Sequence, residues 1–312
     1  MKFSLAAALS SLLLASTTVL SQRIAIGFPY DGAAVTAGSN ITVEVDRPDT
    51  LTGSQEVAVV IGINSCRNTT CIPPDEILGS ILYDGGYNPQ FASNAPTKPP
   101  HQNFTVNIPS NLEKGLAQLA VFHVSLVGAG FAPFTEIQNV TVKVQYHGLR
   151  RLLPSTHPLA QLASCDFTNM KVLSFLIASV CVLSATAQRS FIGYPPTGAS
   201  ITPGKKFIVQ IIRPNSIQGS TEAGLVIGLL SCANNPEGCP GPDVEVGTIL
   251  YNKKLNPTIH PGEEDGPYEN FTFTVPNDFP AGAAQLSTNR LHFIGAGPSP
   301  VLESNSVVLN VV

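Results

Sequence analysis

This chain is written twice, and that constrains its fold more than any other feature. Gly27-Phe28-Pro29 returns as Gly193-Tyr194-Pro195, and Arg47-Pro48 as Arg213-Pro214. Val60-Ile61-Gly62 returns as Val226-Ile227-Gly228, and Asn88-Pro89 as Asn256-Pro257. Asn103-Phe104-Thr105 returns as Asn270-Phe271-Thr272, and Gly128-Ala129-Gly130 as Gly295-Ala296-Gly297. The offset stays between 166 and 168 residues, so one module is duplicated with small loop changes. Whatever fold is proposed must be complete within one copy.

Each copy follows a segment with the grammar of a secretion signal. Lys2 supplies the positive start, Leu5 to Leu20 an apolar stretch, and Val19-Leu20-Ser21 a small-residue site that predicts cleavage between Ser21 and Gln22. Met170-Lys171, the apolar run Val172 to Leu183 and Ala185-Thr186-Ala187 repeat the pattern and predict cleavage between Ala187 and Gln188. The reading is a signal peptide at 1–21, a module at 22–145, an unstructured connector at 146–169, a signal-peptide-like helix at 170–187 and a second module at 188–312. The preferred origin is two neighbouring reading frames joined in one chain. A tandem precursor cut at the second site is one alternative. A membrane anchor over Val172–Ala187 is the other, although 16 residues fall short of the ~20 that a span needs.

Within each copy the periodicity is two. Asn40 to Asp46, Phe104 to Ile108, Asn139 to Val144 and Asn270 to Val275 alternate polar and apolar residues, the mark of a half-buried strand. Val57 to Ile63 is a continuous apolar run suited to a central strand. Gly, Pro and Asn separate these runs, as turns require. Seven strands are predicted in the first copy, near 23–28, 40–47, 56–64, 77–83, 103–108, 116–127 and 137–144. The expected fold class is all-β: two immunoglobulin- or fibronectin-like antiparallel sandwiches.

Cysteine placement agrees with an oxidising compartment. Cys66 and Cys71 close a short loop after the third strand, and Cys232 and Cys239 do so in the second copy, so two local disulfides are predicted. Five N-x-S/T sequons, at Asn40, Asn68, Asn103, Asn139 and Asn270, predict N-glycans. The predicted localisation is extracellular.

The chemistry is sparse. With 12% charged residues and a net charge of −4, no phosphate-binding surface for nucleic acid is expected. No His is shared by the copies: His123 aligns with Arg290, and His101 with Tyr268. A shared His-based triad or metal site is therefore excluded, and no cofactor is expected. Three carboxylate pairs are shared, Glu56/Glu222, Asp75/Asp243 and Glu136/Glu303. They could serve hydrolysis, but are read as turn and strand-edge acids. The Gly128-Ala129-Gly130 motif is read as a turn or bulge. Tyr83 and Asn88, with Tyr251 and Asn256, are candidate binding residues, an aromatic and an amide able to read a sugar or a peptide edge.

The run Val57 to Gly62, the F-T-V-x-I-P strand, the Gly115 to Leu119 step, Ser125 to Ala129 and the closing N-V-T-V strand together resemble the fungal necrosis-inducing secreted effector family. In the second copy the same pattern lies at Phe271 to Pro276, Gly282 to Leu286 and Gly295-Ala296. The resemblance implies a non-enzymatic effector acting on plant receptor-like kinases. The residues themselves leave open an unknown host protein or a cell-wall glycan as partner, and a structural or carbohydrate-binding role as the alternative. A carboxylate-dependent hydrolase ranks behind both.

Overall fold

The computed structural model describes residues 23–146 and 189–312, apart from 49–52, 68–69, 94, 96, 216–218 and 263–264. The cleavage residues Ser21, Gln22, Ala187 and Gln188, the sequon at Asn68, the expected helix at 170–187 and most of the connector lie outside the described residues. Tyr146, assigned above to the connector, belongs to the first module, because its hydroxyl donates to the Leu112 carbonyl at 3.0 Å.

Among the described residues the first module holds eight strands: β1 Ala25–Phe28, β2 Ala34–Thr36, β3 Asn40–Asp46, β4 Ser54–Ser65, β5 Ser80–Gly85, β6 His101–Asn107, β7 Gly115–Val127 and β8 Ala132–Gln145. One sheet has the order β1-β3-β6 and the other β2-β8-β7-β4-β5. The second module repeats this with β9 Phe191–Tyr194, β10 Ser200–Ile201, β11 Lys206–Ile212, β12 Ser220–Ser231, β13 Thr248–Lys253, β14 Tyr268–Thr274, β15 Gly282–Ile294 and β16 Ser299–Val311. Its sheets run β14-β11-β9 and β10-β16-β15-β12-β13. All pairings are antiparallel except β2 on β8 and β10 on β16. This is the two-sheet sandwich expected from the alternation, and all described secondary structure is strand.

The eighth strand is the correction to the predicted seven. β2 and β10 are three and two residues long, too short to show a period, and they exist because the chain leaves the small sheet to edge the large one. β5 also starts later than predicted. Gly79 precedes it at φ 80°, where an added Cβ would lie 2.3 Å from the Ile63 carbonyl oxygen. The chain turns tightly there before pairing begins.

Between the sheets of the first module pack Val43, Val45, Val59, Ile61, Ile63, Phe104, Leu119 and Val121. The second module matches them with Val209, Ile211, Leu225, Ile227, Leu229, Phe271 and Leu286. These are the inward positions of alternating strands. At ~1.5–3 kcal/mol for each large apolar side chain buried, they dominate the favourable side of folding. β6 shows the one-sided pattern, with Phe104 and Val106 buried between exposed neighbours. β4 is buried on both faces from Val57 to Ile63, because its outer face meets the second module. Val57, Ala58, Val60, Leu78, Phe122, Val124 and Leu126 form one cluster with Ala223, Val226, Val246, Leu291 and Phe293.

Candidate functional site

In each large sheet the strand next to one edge, β4 or β12, carries a bulge near its start. Glu56 pairs with Ser125 and Ala58 with Val124, leaving Val57 as the extra residue. In the second module Glu222 pairs with His292 and Gly224 with Leu291, leaving Ala223. A one-residue insertion reverses the side-chain alternation. Val57 and Ala223 therefore join the outer cluster, while Glu56 and Glu222 turn inward beside the core row of Val59 and Leu225. A carboxylate so placed must find partners, since an unpaired buried charge is strongly unfavourable.

In the first module the partners come from several strands and the loops beside them. His123 on β7 is fully buried. Its Nε2 bonds to Glu56 Oε2, and its Nδ1 lies 3.0 Å from Oε1 of Glu136 on β8. Arg47 Nε donates to Glu56 Oε1 at 2.9 Å, and Arg47 Nη2 to Ser54 Oγ at 2.8 Å. The Ile24 N–H donates to Glu136 Oε1 at 2.9 Å. The Tyr87 ring stands edge-on to His123 with centroids 5.5 Å apart, and its hydroxyl donates to the Val45 carbonyl at 3.1 Å.

Electrostatics follow from this packing. Burial opposes charge on His123, but its hydrogen bonds and charge contacts with Glu136 and Glu56 prevail and hold its pKa above the ordinary imidazole value. Burial would raise the Glu56 carboxyl, but His123 and Arg47 together hold it below the usual carboxylate range. Burial pushes the Tyr87 phenol far above its ordinary value.

The second module builds the same cluster around a different cation. Arg290, fully buried, donates from Nε to Glu222 Oε2 at 2.7 Å, from Nη2 to Glu222 Oε1 at 2.5 Å and from Nη1 to Glu303 Oε2 at 2.9 Å. Ser190 caps Glu303 through both its N–H, at 3.0 Å, and its hydroxyl, at 2.9 Å. His292 Nε2 lies 3.3 Å from Glu303 Oε1. Burial opposes ionisation of Glu303, but His292, the Ser190 N–H and Arg290 bring it down to about 2. Arg213 reaches Glu222 Oε1 at 3.8 Å, as Arg47 reaches Glu56.

Four of the six shared carboxylates, read above as turn and strand-edge acids, are therefore network members, Glu136, Glu222 and Glu303 buried and Glu56 partly so. Asp75 and Asp243 are the exposed pair, in turns after the disulfide loops. The bulge explains the difference, because without it Glu56 and Glu222 would face away from the core. Tyr87, which takes part in the first cluster, has no counterpart in the second module, where Leu255 stands at the equivalent position.

The candidate binding residues do not form one site. Tyr83 packs its ring on Phe104, centroids 4.5 Å apart, and spends its hydroxyl on the Gly86 carbonyl at 2.8 Å. Tyr251 repeats this on Phe271 at 4.6 Å and the Lys254 carbonyl at 2.9 Å. Both are packing residues that pin a turn. Asn88 accepts from Gln90 Nε2 at 3.0 Å and lines an open cleft of about 720 Å³ with Arg47, Glu56, Tyr87 and Phe131. In the second module the Asn256 N–H donates to Glu269 Oε2 at 2.6 Å.

Cys66 is bonded to Cys71 and Cys232 to Cys239. Asn40, Asn103, Asn139 and Asn270 are exposed on strands. Among the described residues no three His, Cys, Asp or Glu side chains converge to hold a metal, and no helix is long and apolar enough to cross a membrane.

Fibronectin(III)-like modules of Clostridium thermocellum CbhA overlay 93% of this chain and 95% of their own, at 8% identity and a TM-score of 0.23. Titin domains Z1Z2, solved in complex with telethonin, overlay 94% of this chain and 100% of their own, at 9% identity and a TM-score of 0.19. At such scores neither overlay bears on the fold, which rests on the strand order above. No curated protein matches the chain. The model of the Nis1 family, necrosis-inducing secreted proteins, matches residues 21–143 and again 185–310.

Proposed function

Because the chain belongs to the Nis1 family over both of its modules, we propose that it is a secreted, non-enzymatic effector acting by surface recognition. The observation that carries the non-enzymatic reading is the exchange of His123 for Arg290 at the centre of the two clusters. General acid–base catalysis needs a group that gives and takes a proton near working pH. Arg290 stays protonated throughout, yet it bridges the two carboxylates equivalent to those that His123 bridges, and His292, beside Glu303, has Ser125 at its place in the first module, so no imidazole occupies a shared position. Charge balance under the sandwich is the property common to both modules.

Secretion is supported by the two disulfides and the effector family. The proposed partner is a plant receptor-like kinase, and the mechanism is occupancy of a protein surface. The test is binding of the secreted protein to purified receptor-like kinases, read together with their autophosphorylation. Saturable binding with reduced autophosphorylation is expected. Absence of binding across the kinases would refute the partner. A hydrolytic activity lost in Glu56→Gln with the fold intact would refute the non-enzymatic assignment.

A further inference from the structure

The two modules meet through equivalent surfaces. The outer face of each five-stranded sheet lies on that of the other, with β4 against β12. An added Cβ at Gly224 would rest 3.4 Å from the Ala58 Cβ, and Ala58 and Gly224 are the same position of the repeat. A residue facing its own counterpart marks a local two-fold axis.

Backbone contacts away from that point are reciprocal. The Leu78 N–H donates to the Pro298 carbonyl at 3.1 Å, and the Val246 N–H donates to the Gly130 carbonyl at 3.0 Å. Leu78 and Val246 are equivalent. The acceptors, both in the glycine turn between the last two strands, differ by one place. The same turn is pressed against the same segment in both directions. A Cβ on Gly297 would come within 3.1 Å of Ile77, and one on Gly130 within 2.9 Å of Glu245. Ile77 and Glu245 are equivalent, as are Gly297 and Gly130. The Gly-Ala-Gly motif, which no chemistry accounts for, thus has a reason: its third glycine admits the partner module's chain at close range.

The middle of the joined face is largely apolar, and polar contacts cross at its edge, where Asn252 Nδ2 donates to the Glu56 carbonyl at 3.0 Å and Lys254 Nζ pairs with Asp84 Oδ2 at 2.6 Å. Val57, Val60, Leu78, Val124 and Leu126 on one side meet Ala223, Val226, Val246, Leu291 and Phe293 on the other, all buried. Were the modules apart, each would expose a contiguous apolar sheet face, which soluble monomers rarely leave bare.

We propose that this face is a homotypic association surface of the module, made to receive a second copy of the same fold. Within this chain the second copy is supplied in cis. Released from its neighbour, a module pairs with another module through the same face. The first module forms the stronger homotypic pair, because it carries Ala120 and Phe122 where the second has Ser287 and Asn289.

The test begins with the full chain, into which a protease site is inserted between residues 150 and 165. After cutting, native mass spectrometry and light scattering read the assembly state across a dilution series. Expected are a pair of first and second modules immediately after cutting and, on exchange, pairs of two first modules. Ala58→Glu, which buries a charge at the axis, should shift the cut protein to monomers, with circular dichroism confirming that they remain folded. Folded monomers from the unmutated cut chain would overturn the surface. A mixed pair that never exchanges into pairs of first modules would overturn its homotypic character.

Discussion

Replacing His123 with glutamine keeps a side chain of similar size but removes the only imidazolium between Glu56 and Glu136. Two carboxylates then share a buried pocket with one fewer compensating charge. Breaking a buried ion pair from one side costs about 3–5 kcal/mol, and we take about 3 because the new amide can still donate to one carboxylate. With a urea slope of about 2 kcal/mol per molar, the unfolding midpoint of the first module should fall by about 1.5 M near pH 6. The cost must depend on pH. The folded-state pKa of His123 lies above the free value of 6.5. Its contribution is therefore complete below that value and is lost as pH rises through the folded one. The gap between wild type and His123→Gln should accordingly be widest near pH 6 and narrow as the pH is raised through the folded-state pKa. Arg290→Gln in the second module is the control, since arginine keeps its charge and its penalty should stay constant over the same titration. Urea titrations followed by far-ultraviolet circular dichroism, repeated across a pH series, measure both variants. A His123→Gln penalty below about 1 kcal/mol near pH 6, or one that stays constant across the series, would refute the ion-network account.

Deleting Val57 should remove the bulge, turn Glu56 out of the cluster and leave His123 and Arg47 without their shared carboxylate. The outcome is loss of the cooperative transition, where a Val57→Ala variant only shifts it. Cys66→Ser with Cys71→Ser should cost roughly 2 kcal/mol, the chain-entropy value for so short a loop, and lower the urea midpoint correspondingly. Tyr83→Phe, which loses only the bond to Gly86, should cost about 1 kcal/mol and leave kinase binding unchanged. A fall in binding of tenfold or more would return Tyr83 to the recognition surface. Peptide mass spectrometry before and after glycosidase treatment should find glycans at the exposed Asn103 and Asn270.

The amino-acid sequence determines the duplication, the alternating strands and the short disulfide loops, because each is local. A period of two, a turn glycine or two cysteines a few residues apart can be read without knowing what lies opposite. Val43, Val45, Phe104 and Val106 announce their inward faces in this way. The ion clusters were not legible. Glu56 stands at a strand start among polar residues, and its inward turn depends on a bulge defined by pairing with β7, more than sixty residues further along. The shared outer face was hidden for a related reason. The continuous apolar run of β4 says that both faces are covered, but it does not say by what. Only the tertiary structure decides that the cover is the other copy, because burial of a face is settled by whatever surface of matching shape is brought against it. For Gly130 and Gly297 that surface lies in the other module, at a sequence distance no local pattern spans.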